Sequence, residues 1–123
     1  MPLTVRREHR EPFTVITMIG ELDANGLGRL GENLDMALGH HCPRLLFDLS
    51  QLNFLDSSGL RLLVRACAQA TRHGGSCAMC GLRPMPRTIM NVTGLGAVFD
   101  IYPTMDAALA GGPLESQASR RLP

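Results

Sequence analysis

Asp56, Ser57, Ser58 and Gly59 stand together in the stretch LNFLDSSGLRLLV, residues 52–64, directly ahead of an apolar run with helical spacing. A serine in the first turn of a helix is open to chemistry. Its hydroxyl can be reached from outside, and the free N–H groups and positive dipole end of the helix tolerate a phosphate placed there. Such a phosphate carries about −1.5 to −2 charges at neutral pH. The plainer role for these residues is capping, which small polar side chains at helix starts commonly perform. Asp23, in the stretch GELD at 20–23, is a second acidic residue at a turn, and its plainer role is likewise to cap the helix that follows.

Cys77 and Cys80 have the C-x-x-C spacing used by thiol redox enzymes and by zinc sites. Their stretch, SCAMC, follows Gly74 and Gly75 and reads as a short buried strand. Residues three apart on a strand point to opposite faces, so the two thiols are expected to diverge. No second C-x-x-C or C-x-x-H is present to complete a tetrahedral metal site. Cys42, Cys67, Cys77 and Cys80 are therefore expected to be free thiols, with a redox enzyme built on Cys77 and Cys80 as the competing reading. His40 and His41 fall at the end of the first helix, where the dipole favours imidazolium, and with Cys42 they suggest adventitious metal binding at most. His9 and His73 are expected to be exposed. The DSSG stretch is not the G-x-S-x-G elbow of a serine hydrolase, and no histidine is placed as its base. No catalytic residue, metal or cofactor is expected, and the chain is not expected to be an enzyme.

These residues need elements to position them. Residues 13–19, FTVITMI, are rich in β-branched and apolar side chains and predict a strand, with LTV at 3–5 as a preceding edge strand. Leu27, Leu30, Leu34 and Leu38 recur at helical spacing, although Gly26, Gly28 and Gly31 each weaken that helix by about 1 kcal/mol relative to alanine. RLLFDL at 44–49 predicts a central strand covered on both faces. A helix from about Ser58 to His73 ends at Gly74 and Gly75. The Cys77 strand follows, then a helix over RPMPRTIMNVTG with Gly94 after its end. AVFDIY predicts a last strand, and Thr104 opens a short final helix. Met85, Met90 and Met105 are expected to fill core space. Strands alternating with helices imply an α/β domain with a largely parallel sheet, whose sites gather beyond the carboxyl ends of the strands. Asp23 and the Asp56–Ser57 pair both fall there.

The chain has 123 residues and a net charge of +1, enough for one domain with an ordinary core and without the basic block that gathers phosphates. Direct nucleic-acid binding is not expected. No apolar run approaches the ~20 residues that span a bilayer, and the start MPLTVRREHREP lacks the apolar centre of a signal peptide. A soluble cytoplasmic protein that does not bind membranes is expected. Residues 1–110 read as the domain and GGPLESQASRRLP, 111–123, as a disordered tail.

GELD at 20–23, FLDSSGLRLLV at 54–64 and IMNVTGLGAVFDIYPTMDAAL at 89–109 resemble the anti-anti-sigma factors, or anti-sigma factor antagonists, of the STAS domain family. The blocks keep the family's order and spacing, so the resemblance covers roughly residues 3–110. It implies the STAS fold, a mixed and mostly parallel sheet of four to five strands with about four helices. It also implies partner switching. The unphosphorylated protein binds an anti-sigma factor serine/threonine kinase and releases its sigma factor, phosphorylation ends that binding, and a metal-dependent serine phosphatase resets the switch. The family's phosphorylated serine maps to Ser57, and its turn aspartate maps to Asp23, near the kinase surface. Asp56, Ser58 and Gly59 are expected at the partner interface as neighbours of the acceptor. Ser58 also serves as a cap, and Gly59 admits a partner's backbone or eases a tight turn. Gly26 and Gly28 depart from the family in loosening the first helix. The family's fold also occurs in subunits of membrane or transport complexes that work without a phosphoswitch, and DSSG argues against that alternative here.

Overall fold

The alternating strand-like and helix-like runs resolve, in a computed structural model that describes residues 2–112 and 114, into a five-stranded sheet with four α-helices. The strands are β1 (Thr4–Arg10), β2 (Phe13–Leu22), β3 (Arg44–Leu55), β4 (Ser76–Cys80) and β5 (Asp100–Tyr102). The helices are α1 (Leu27–Leu38), α2 (Ser57–Arg72), α3 (Pro84–Thr93) and α4 (Met105–Leu109), with short 3-10 turns at Ala24–Gly26 and Leu95–Val98. Spatial order follows chain order, β1-β2-β3-β4-β5. β1 runs antiparallel to β2, and every other pairing is parallel. This is the mixed, mostly parallel arrangement expected from the sequence.

The pleat sends alternate residues of each central strand into two different apolar clusters. Ile16, Met18, Leu45, Phe47, Leu49, Cys77, Met79 and Ile101 join the larger one, under Leu30 and Leu34 of α1 and Leu60, Leu63, Ala66, Cys67 and Ala70 of α2. Those helix positions repeat at three and four, so each helix buries one stripe and leaves the other wet. Every leucine fully removed from water in this way contributes about 1.5–3 kcal/mol. Phe13, Val15, Leu46, Ala78 and Cys80 lie on the opposite face, covered by Ala108, Met105 and Leu109 of α4.

Several boundaries differ from expectation. β1 runs on through Arg10 rather than stopping at residue 5, because a two-strand register from Thr4↔Ile19 to Arg10↔Phe13 carries its exposed polar residues along the sheet edge. β3 continues past Leu49 to Leu55. Its polar Ser50, Gln51 and Asn53 point outward while Leu52 and Leu55 are buried, and register shifts in the pairing with β2 accommodate them. The last strand is shorter than AVFDIY, since Leu95–Val98 form a 3-10 turn. Met90 is buried as expected and Met105 packs on the second cluster, but Met85 lies on the outer side of α3, 37% exposed. The expected tail over 111–123 lies mostly outside the described residues. No helix among the described residues is long and apolar enough to cross a membrane.

Candidate functional site

Leu22 and Leu55 are partners in the parallel ladder between β2 and β3, so Asp23 and Asp56 leave the sheet side by side at its carboxyl end. The Asp56 N–H donates to the Leu22 carbonyl at 3.2 Å, extending the ladder one step beyond the strands. The two acidic turns, separate in sequence, are thus joined through one hydrogen bond.

Asp56 is extended (φ −100°, ψ 178°) and caps α2. Its Oδ1 accepts the Gly59 N–H at 2.9 Å and the Ser58 hydroxyl at 2.7 Å. Burial pushes its carboxyl up, but the hydrogen bonds from Gly59 and Ser58 and the charge of Arg61 outweigh that and hold it below the ordinary value of 3.8. The capping role expected of Ser58 therefore belongs to Asp56. The physical reason is reach: the carboxylate at the N-cap faces the N–H of the third helical residue, while Ser58, already inside the helix, turns its hydroxyl back onto that carboxylate.

Ser57 is the first residue of α2 and is exposed, whereas Ser58 is half-buried. Among the described residues no hydrogen bond engages the Ser57 hydroxyl. The first turn of α2 contains no acidic residue, so the positive end of a sixteen-residue helix faces Ser57 uncompensated except by the cap itself. Arg61 lies one turn further along on the exposed side.

Gly59 is buried. A Cβ there would stand 2.6 Å from Leu22 Cγ and 3.1 Å from the Leu22 carbonyl oxygen. The close approach that this glycine permits is thus between α2 and β2 of the chain itself. Asp23 also differs in detail from expectation. Its Oδ1 accepts the Asn25 N–H at 3.0 Å and caps the 3-10 turn, while α1 proper starts after Gly26. Asp23 borders a depression of about 360 Å³ shared with Glu21, Asn25 and Arg29. A second hollow of about 490 Å³ lies at the other end of the sheet, by Thr14 and Arg44 at the starts of β2 and β3, and takes in His9, His40, His41 and Cys42. Among the described residues no group of His, Cys, Asp or Glu is arranged to hold a metal ion.

The C-x-x-C residues separate as their spacing predicts, with Cys77 in the α2-facing cluster and Cys80 in the other. What the spacing did not reveal is that Cys67 of α2 lies in the same cluster as Cys77. The core periodicity of α2 places Cys67 on its inner face, but nothing in the sequence says which strand residue it meets.

The pattern of the STAS domain family matches residues 4–108. An anti-sigma F factor antagonist of Paenibacillus polymyxa is 27% identical over 103 residues, covering 83% of this chain and 88% of that protein. Among solved structures, an anti-sigma factor antagonist from Mycobacterium paratuberculosis superposes with a TM-score of 0.80 at 28% identity, over 89% of this chain and 92% of its own. A STAS-domain anti-sigma factor antagonist from Planctomyces limnophilus gives a TM-score of 0.79 at 26% identity, over 87% and 95%. With the fold, the match from β1 to α4 and the DSSG cap at the carboxyl end of the sheet, the chain belongs to the STAS domain family.

Proposed function

We propose that this protein is an anti-sigma factor antagonist that works by partner switching with Ser57 as its phosphoacceptor. In the unphosphorylated form it binds an anti-sigma factor serine/threonine kinase and frees the sigma factor. Transfer of the ATP γ-phosphate to Ser57 ends that binding, and a metal-dependent serine phosphatase restores it. The protein is then the kinase's substrate and catalyses nothing itself, and it acts in the cytoplasm, where ATP and the sigma factor are found. The names of its relatives support the antagonist role.

One observation carries the choice of residue. Of the two adjacent serines, Ser57 is exposed with its hydroxyl unengaged, while Ser58 is committed to Asp56. A phosphate on Ser57 would meet the positive end of α2 and stand one turn from Arg61, so the domain tolerates it. The partner does not. Asp56 and Asp23 already make this corner acidic, and about two further charges in a desolvated interface are costly. Weakening the complex a hundredfold takes about 2.8 kcal/mol, within the range of one charged group buried without a partner.

The test is binding of wild type, Ser57→Ala and Ser57→Asp to the anti-sigma kinases of the same genome, with phosphosite mapping after ATP is added. Wild type and Ser57→Ala should bind, Ser57→Asp should bind at least tenfold more weakly, and a single phosphate should appear on Ser57. Binding that ignores residue 57, with no phosphate on any serine, would instead make the protein a STAS adaptor without a phosphoswitch.

A further inference from the structure

We infer that the groove between α1 and α2, flanked by Arg65 and Arg72, is a docking site for an acidic amphipathic helix of the anti-sigma factor kinase. The inference rests on the reading of Ser57 given above and adds the charge of the surface that the kinase presents.

Ser57, Arg61, Arg65, Ala68 and Arg72 are all exposed, and steps of four, four, three and four residues keep them on one side of α2. The helix carries these three arginines and no acidic residue. Arg61 and Arg65, one turn apart, repel each other, and no carboxylate on α2 offsets that. Among the described residues none of the three has a hydrogen-bonded or ion-pair partner, and Arg61 acts on Asp56 only through space. Other arginines are engaged by the fold. Arg7 donates to Asn33, Arg29 donates to the Leu3 carbonyl, and Arg44 lies over the ring of Phe13. The α2 guanidiniums make no such contact and stand ready for acceptors from outside.

Beside this strip lies a groove of about 370 Å³, lined by Leu62, Arg65, Gln69 and Arg72 of α2 and by Gly31 and Leu38 of α1. Leu38 and Leu62 are half-buried, so apolar surface runs between the outward charges. A Cβ on Gly31 would meet nothing within 4 Å, so this glycine, which weakens α1, leaves the groove open. Asp35 also lines it, and two arginines against one aspartate leave its rim positive. Such a surface fits a helix that lays apolar residues on the leucines and offers a carboxylate to each guanidinium. A nucleic acid fits it poorly, because the chain's net charge is only +1 and a phosphodiester strand running along α2 would meet Asp56 at its start. The strip also gives the switch its sign. A partner that brings carboxylates along the face beginning at Ser57 is repelled by a phosphate there, and that phosphate competes for Arg61 one turn away.

The experiment titrates the kinases of the same genome with wild type, Arg65→Glu, Arg72→Glu, Ser57→Asp and Arg10→Glu, at about 0.1 M and about 0.5 M salt. Arg10→Glu, on the exposed edge strand β1, makes the same change of net charge away from the groove. At the lower salt each α2 reversal should weaken binding about tenfold, and Arg10→Glu less than about twofold. Wild-type binding should itself weaken several-fold at the higher salt, a readout that needs no variant to fold, and the reversals should flatten that dependence. A kinase that distinguishes Ser57→Asp from wild type but ignores both α2 reversals, or responds equally to Arg10→Glu, would overturn the groove as its seat and leave the Ser57 switch standing. Failure of every kinase to bind wild type would overturn both.

Discussion

Replacing Gly59 by alanine tests whether the start of α2 is clamped to β2. In an open helix the change stabilises by about 1 kcal/mol, because alanine loses less conformational freedom on folding. Here the added Cβ falls 2.6 Å from Leu22 Cγ and 2.9 Å from Leu22 Cδ2, with the Leu22 carbonyl at 3.1 Å. Leu22 is fully buried, and its carbonyl accepts the Asp56 N–H, so neither the side chain nor the backbone can withdraw freely. Overpacking costs about 1–3 kcal/mol, and contacts under 3.0 Å with a fully buried neighbour put this case in the upper part, about 2–3 kcal/mol, more than the helix gain returns. The expected net loss is about 1–2 kcal/mol. Gly31→Ala in α1 is the matched control: its Cβ meets nothing within 4 Å, so it should gain about 0.5–1 kcal/mol. Urea unfolding of both variants with unchanged slope reads the difference directly, and a thermal scan should show shifts of about 4 °C per kcal/mol in opposite directions. If Gly59→Ala matches or exceeds wild type while Gly31→Ala behaves as stated, α2 is free to move off β2. The rigid placement of Ser57 then has no basis.

Asp56→Ala should lose about 1 kcal/mol at pH 7 through the missing cap. Because folding lowers the Asp56 pKa, that contribution is present above 3.8 and lost as pH falls through the folded value, so the deficit should shrink in acid, and an equal deficit at pH 7 and well below 3.8 would count against it. Ser58→Ala removes the 2.7 Å bond to Asp56 and should cost about 1 kcal/mol in urea unfolding. It should leave kinase-dependent phosphate incorporation intact, whereas loss of the phosphate with the fold preserved would move the acceptor to Ser58.

The sheet was legible because its central strands announce themselves by composition. FTVITMI and RLLFDL are apolar enough to need cover on both faces, and the leucine spacing of α1 and α2 supplies helices to cover one of them. The second half of β3 was not legible. Ser50, Gln51 and Asn53 look like turn residues, and only the pairing of Leu52 and Leu55 with Gly20 and Leu22 makes them strand. The same limit applies at the site. The sequence locates Asp23, Asp56 and Ser57 near strand ends, but which serine is engaged, and that Gly59 faces inward, depend on the angle at which α2 leaves the sheet. Local spacing carries no information about that angle, nor about which strand residue Cys67 meets.

That angle also fits the proposed switch, in which four small residues divide between folding and phosphate acceptance. Asp56 gives its N–H to Leu22 and its carboxylate to Gly59 and Ser58. Gly59 gives its missing side chain to the contact with Leu22. Three of the four are therefore consumed in fixing where α2 begins, and each would cost stability if changed. Ser57 alone contributes nothing that the fold requires, and it sits where those three fixed points hold it outward. A phosphate added at such a position has no cap to break and no packing to disturb. It meets a helix terminus that favours negative charge, so its effect falls on whatever surface is docked against it. A switch built this way changes charge without changing shape. It predicts that Ser57→Asp unfolds within about 0.5 kcal/mol of wild type, as a surface substitution should, while its binding to the kinase falls. A Ser57→Asp variant that lost binding only because it had lost stability would show that folding and switching are not separated here.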